Sequence, residues 1–141
     1  MQSVSLFIFV LTVFHFNDIT CQIAGGWMDQ DPSKYTGLAW KAVPEINEQN
    51  NGPYYLIPIG VLRAQTQVVN GLNTRLEVLV GESTCLNQGP VPVSQITSAY
   101  CSLRPGGQQS LYSVFIFDRP WMNYEEIGAK KIRDVRVYKK F

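Results

Sequence analysis

The chain has 141 residues and a mass of 15.9 kDa, enough for one domain with a buried core. Its 45% hydrophobic and 16% charged content excludes a disordered chain. A formal net charge of +1 argues against a dedicated nucleic-acid binder, which carries a basic excess.

The first element in chain order is an apolar run over residues 5–16, free of Lys, Arg, Asp and Glu. An apolar stretch of about a dozen residues at an N-terminus reads as a secretory h-region. It is shorter than the roughly 20 residues a bilayer span takes, so no membrane span is expected. Cleavage after Cys21 would put Ile19 and Cys21 at the recognition positions. Residues 1–21 therefore read as a signal peptide, and 22–141 as one secreted, extracellular domain.

That cut removes His15, the only histidine in the chain. The mature protein then has no imidazole base for Ser-His-Asp or Cys-His catalysis. It keeps two cysteines, too few for a thiolate zinc cage. Glu125-Glu126 is the one adjacent carboxylate pair, and it reads as surface charge. No enzymatic activity, no metal and no cofactor are expected. Cys85 and Cys101, an even count in an oxidising compartment, read as one disulfide. Cleavage before Cys21 would instead leave a free thiol in the mature chain.

From Asp31 to Gln49, Tyr35, Leu38, Ala39, Ala42, Val43 and Ile46 recur at helical spacing and predict one apolar face. Asp31-Pro32 supplies an N-cap and a first-turn proline, and Asn50-Asn51-Gly52-Pro53 a stop. Pro44 lies inside this pattern. It cannot donate to the carbonyl of Trp40, which predicts a kink or break.

After Pro53 the period changes to two. Four strands are predicted, over 54–67, 72–80, 110–117 and 130–138. Pro58 points to an edge or a bulge in the first. In the second, Leu72, Thr74, Leu76, Val78 and Val80 share one face, and Asn73, Arg75 and Glu77 the other. Residues 81–109 carry both cysteines and read as a long turn-rich insertion. A helix and four strands make an α+β layer, with an antiparallel sheet packed on the helix.

Three short segments stand out. Gly25-Gly26 precedes the helix and permits conformations that a Cβ would block. Gln67-Val68-Val69-Asn70-Gly71 joins two strands, and its Asn-Gly pair tolerates positive φ. Apolar Val68 and Val69 near such a tip are costly unless something binds them. Pro120-Trp121 presents an aromatic between two later strands, and tryptophan is enriched at interface hot spots. Singly, each also reads as an ordinary linker, turn or core staple.

In this order, with the segment Val-Gly-Glu-Ser-Thr-Cys at 80–85 and the leader, they resemble the cystatin family, specifically its secreted, disulfide-bearing type 2 branch. The resemblance spans the whole mature chain. It implies a sheet of four to five strands wrapped around one long α-helix, the fifth strand being the N-terminal trunk. Type 2 members usually carry a second disulfide near the C-terminus. Its absence here is similar to nematode members.

The resemblance implies a reversible, tight-binding inhibitor of papain-like cysteine proteases, the cathepsins among them. Its edge blocks the active-site cleft without offering a scissile bond. Carried over by position, Gly25 is the hinge, with Gly26 beside it, and Ile23 and Ala24 enter non-primed pockets. Gln67, Val68, Val69, Asn70 and Gly71 form the first loop, and Pro120 and Trp121 the second. Some type 2 members also inhibit legumain through an asparagine after the helix. Asn51 falls at that position, although Gly52 replaces the usual acidic neighbour, and the segment also reads as a plain helix stop. The alternative is a non-inhibitory secreted member acting on a receptor as an immunomodulatory factor. A monomer is expected, with exchange of the first hairpin into a dimer left open. Lys130, Lys131, Arg133, Arg136, Lys139 and Lys140 read as a solvated strand face.

Overall fold

The computed structural model describes residues 25–136. The expected leader, Ile23, Ala24, Lys139 and Lys140 lie outside the described residues.

A single antiparallel sheet of five strands runs in the order β1-β2-β3-β4-β5. The strands are β1 (Met28–Gln30), β2 (Tyr54–Val68), β3 (Leu72–Leu86), β4 (Gln109–Arg119) and β5 (Tyr124–Val135). Strand order follows chain order: hairpins join β2 to β3 and β4 to β5 at one end of the sheet, and the long loop joins β3 to β4 at the other. The short trunk strand β1 pairs with the far end of β2, Met28 opposite Thr66 and Gln30 opposite Ala64.

The expected long helix is corrected to three consecutive short pieces. A 3-10 turn over Pro32–Tyr35 leads into α1 (Thr36–Lys41), and α2 (Val43–Glu48) follows after a break at Ala42. Pro44 is the cause. It occupies the first turn of α2, where its missing N–H leaves nothing unsatisfied, instead of a helix interior. The Asp31 carboxylate caps the first turn through the Ser33 N–H at 3.0 Å. Side-chain and backbone hydrogen bonds from Ser33 hold the Asp31 pKa below its ordinary value.

The break does not disturb the apolar face. Ala39, Ala42 and Ile46 are fully buried against Leu56, Ala64, Leu76, Val78, Val80, Tyr112, Val114 and Ile116 of the sheet. Leu56 and Ala64 come from β2, and the other six from alternate positions of β3 and β4, as a half-buried sheet requires. On the other sheet face, Arg75 and Phe115 are exposed. At the helix end, Asn47 is buried, donating to the carbonyls of Val43 and Leu56 and accepting from the Leu56 N–H.

Pro58 is accommodated twice over. The β2–β3 register shifts between Pro58 and Gly60, and β1 reaches only the Ala64–Thr66 part of β2, so Pro58 has no neighbour on that side. Strands β3 and β5 have other bounds than expected. Strand β3 continues through residues 81–86, which the sequence reading placed in the insertion. Strand β5 spans Tyr124–Val135 and so begins earlier than expected, while residues 137 and 138 of the expected strand lie outside the described residues. The rest of the insertion folds over a second cluster of Tyr55, Ile57, Ile96 and Cys101, with Trp40, Cys85, Val91 and Val93 packed on it. The Cys85–Cys101 disulfide staples this cluster, with the two Cα atoms 5.5 Å apart.

Among the described residues, no helix is long and apolar enough to cross a membrane.

Candidate interaction edge

The three segments singled out in the sequence meet at one end of the sheet. The first hairpin closes at the Val68–Leu72 pair, leaving Val69, Asn70 and Gly71 as its tip. Asn70 and Gly71 take φ of 48° and 136°, the left-handed values expected of an Asn-Gly turn. Gly71 is needed for a second reason. A Cβ there would lie 2.7 Å from the backbone oxygen of Asp118 at the end of β4, so only a glycine lets the two hairpins approach this closely.

The second hairpin closes at the Arg119–Tyr124 pair. Its loop is a 3-10 turn over Pro120–Met122, ended by Asn123 at φ 48°. Proline fixes the first position of that turn, so Trp121 is set on a rigid backbone. The Tyr124 hydroxyl donates to Glu126 at 2.9 Å, and this bond with the Glu126 charge raises the Tyr124 pKa. Its ring meets Phe117 edge-on at 6.2 Å.

The trunk joins them. The Gln67 side-chain amide donates to the Gly25 carbonyl at 2.7 Å, and a Cβ on Gly25 would sit 3.6 Å from Val69 Cγ2. Gly25 has φ of 84°, another left-handed value. Gly26 follows it, half-buried.

What this end presents is apolar and uncovered. Val68 is 65% exposed, Val69 48%, Trp121 65% and Met122 60%. Such exposure of large apolar side chains on adjoining turns marks an interaction surface. Among the described residues, no three His, Cys, Asp or Glu side chains gather where they could hold a metal ion.

Two residues of this edge escaped the sequence reading. Met122 extends the apolar ridge beyond Trp121, and its place directly after Pro-Trp in a turn was the available signal. Arg119 links the two hairpins through its side chain, a contact across 49 positions that no local pattern announces.

Asn51 lies elsewhere. It is exposed on the loop between α2 and the start of β2, at the other end of that strand from Gln67. Asn50 braces this loop by donating to Tyr54 O and Asn47 Oδ1, and by accepting from the Gly52 N–H. Asn87 adds bonds to the carbonyls of Asn50 and Gly52.

Residues 25–121 match the model of the cystatin domain. Cystatin cpi-1 of Caenorhabditis elegans is 57% identical over 118 residues, which cover 84% of this chain and 85% of that one. Onchocystatin of Onchocerca volvulus is 28% identical over 115 residues, 78% of this chain and 69% of that protein. Among solved structures, the salivary cystatin of the soft tick Ornithodoros moubata superposes with a TM-score of 0.63 at 29% identity, over 77% of this chain and 98% of that one.

Proposed function

The chain belongs to the cystatin family, and from that premise we propose that it is a secreted, reversible, tight-binding inhibitor of papain-like cysteine proteases of the cathepsin L, B and S type. It acts by occupying another protein's active site and is not itself an enzyme. The observation that carries this reading is the apolar edge, on which the trunk, the Val69-Asn70-Gly71 tip and the Pro120-Trp121 turn are tied to one another.

In this reading the edge enters the protease cleft as a wedge. Ile23 and Ala24 fill non-primed pockets, with Gly25 as the hinge and Gly26 beside it. Gln67 to Gly71 face the catalytic centre, and Pro120 and Trp121 the primed side. The affinity comes from burying apolar groups that are already held in place, so little conformational freedom is lost on binding. No scissile bond is presented to the protease thiolate. Residues 1–21 are removed on export, and residues 22–141 act as the inhibitor.

A second surface is proposed for legumain at Asn51, supported by an exposed asparagine on a loop braced by Asn50 and Asn87. The test is a panel of papain, cathepsins L, B and S, and legumain, titrated with the wild-type chain and with Asn51→Lys. The reading expects inhibition of the papain-like enzymes by both proteins and loss of legumain inhibition only in Asn51→Lys. A chain that inhibits none of them favours the non-inhibitory alternative.

A further inference from the structure

On the outer face of the sheet, Asp29 of β1, Gln65 of β2 and Arg75 of β3 stand side by side in register. The Gln65 amide links them. Its Oε1 accepts from Arg75 Nε at 3.2 Å and Nη2 at 2.7 Å, and its Nε2 donates to Asp29 Oδ1 at 2.8 Å. Gln65 is itself buried, so the guanidinium is seated on a fixed partner. Trp27 directly precedes β1. The Arg75 guanidinium carbon lies 4.4 Å from its ring centroid.

The same device recurs two residues along. Gln67 pairs with Asn73 in register. Its Oε1 accepts from Asn73 Nδ2 at 3.2 Å, and its Nε2 reaches Gly25 O. Two glutamine amides of β2 thus relay side chains of β3 to the trunk. Backbone pairing alone does not do this, because β1 starts at Met28.

We propose that Arg75 is a positioning residue that clamps Trp27, and through it Gly25-Gly26, against the first hairpin before any protease is met. This deepens the inhibitory reading and rests on it for its consequence. A trunk already in place loses less freedom on binding, and the gain appears mainly as slower dissociation. A lysine at position 75 would keep the charge but lose both the planar stack and the fork on Gln65.

The test uses the full mature chain with two readouts. Heteronuclear NOE values for the Gly26 and Trp27 amides and the Trp27 indole report trunk order in the free protein. Dissociation from papain reports the consequence. Arg75→Ala is expected to lower the trunk NOE values while those of β2 and β3 stay unchanged. It should speed dissociation about fivefold, the size of a single cation–π contact. Trp27→Ala should do the same, the double variant should be no worse than either, and Trp27→Tyr should restore part of the order. Unchanged NOE values in Arg75→Ala, or additive effects in the double variant, overturn the clamp. A wild-type chain that leaves papain active overturns the inhibitory reading and the kinetic consequence, while the NOE comparison still decides whether Arg75 holds the trunk.

Discussion

Arg119 Nε donates to the carbonyl oxygen of Asn70 across 2.9 Å, so the base of the second hairpin holds the turn of the first. The guanidinium also packs over the Phe117 ring at 4.5 Å. Pairing of Leu72 with Asp118 joins the strands beneath, and this bond ties the turns above them. Arg119→Ala is expected to leave the fold intact and weaken papain binding by about 1 kcal/mol, the net worth of one such hydrogen bond. Inhibition constants beside circular dichroism check this. Unaltered affinity would mean that the hairpins do not need each other.

Trp121→Ala should weaken papain binding by about 2 kcal/mol or more, as truncation of a central aromatic does. Its melting temperature should barely move, because the side chain is mostly exposed in the free protein. Paired inhibition and thermal-melt measurements separate the two effects. Equal losses in both would recast Trp121 as a structural residue.

Gly71→Ala places a Cβ 2.7 Å from Asp118 O and forces an alanine to φ 136°. The expected cost is about 1–3 kcal/mol of stability, the usual range for strained backbone. Urea unfolding measures it. A stability equal to wild type would show that the tip relaxes away from β4.

The Asp134 carboxylate is held by the Lys131 ammonium at 2.6 Å and the Ser110 hydroxyl at 2.8 Å, and these bonds lower its pKa. A carboxyl whose pKa is depressed on folding contributes stability above its unfolded value, about pH 4, and loses it as pH falls through the folded value. Asp31, capping the first helical turn, acts in the same direction. The urea midpoint should therefore drop as the pH falls below about 4. Asp134→Asn should show a smaller drop. A drop of equal size in that variant would remove Asp134 from the account.

Legibility in the sequence followed the range of the physics. The helical face of Leu38, Ala39, Ala42 and Ile46 and the alternation of Thr74, Leu76, Val78 and Val80 are local patterns, and the core is built from them. Pro44 announced the helix break, though not that its missing N–H would fall in the first turn of a second helix. Strand β5 starts six residues before its apolar pattern does, because Tyr124-Glu125-Glu126 are exposed and carry no apolar alternation, and pairing with β4 makes them a strand. The turn chemistry of Asn70-Gly71 and Pro120-Trp121 was visible because it is written in adjacent residues. The links among the three segments were not, because Gln67–Gly25 and Arg119–Asn70 are made by side chains 42 and 49 positions apart.

The most direct test of the central claim is titration of active papain with the mature chain, followed by dilution and by the intact mass of the recovered chain. A wedge that blocks the cleft without offering a scissile bond predicts loss of activity at one equivalent, recovery on dilution and an uncut chain. Persistent activity at excess chain, or inhibition accompanied by cleavage of the chain, would contradict it.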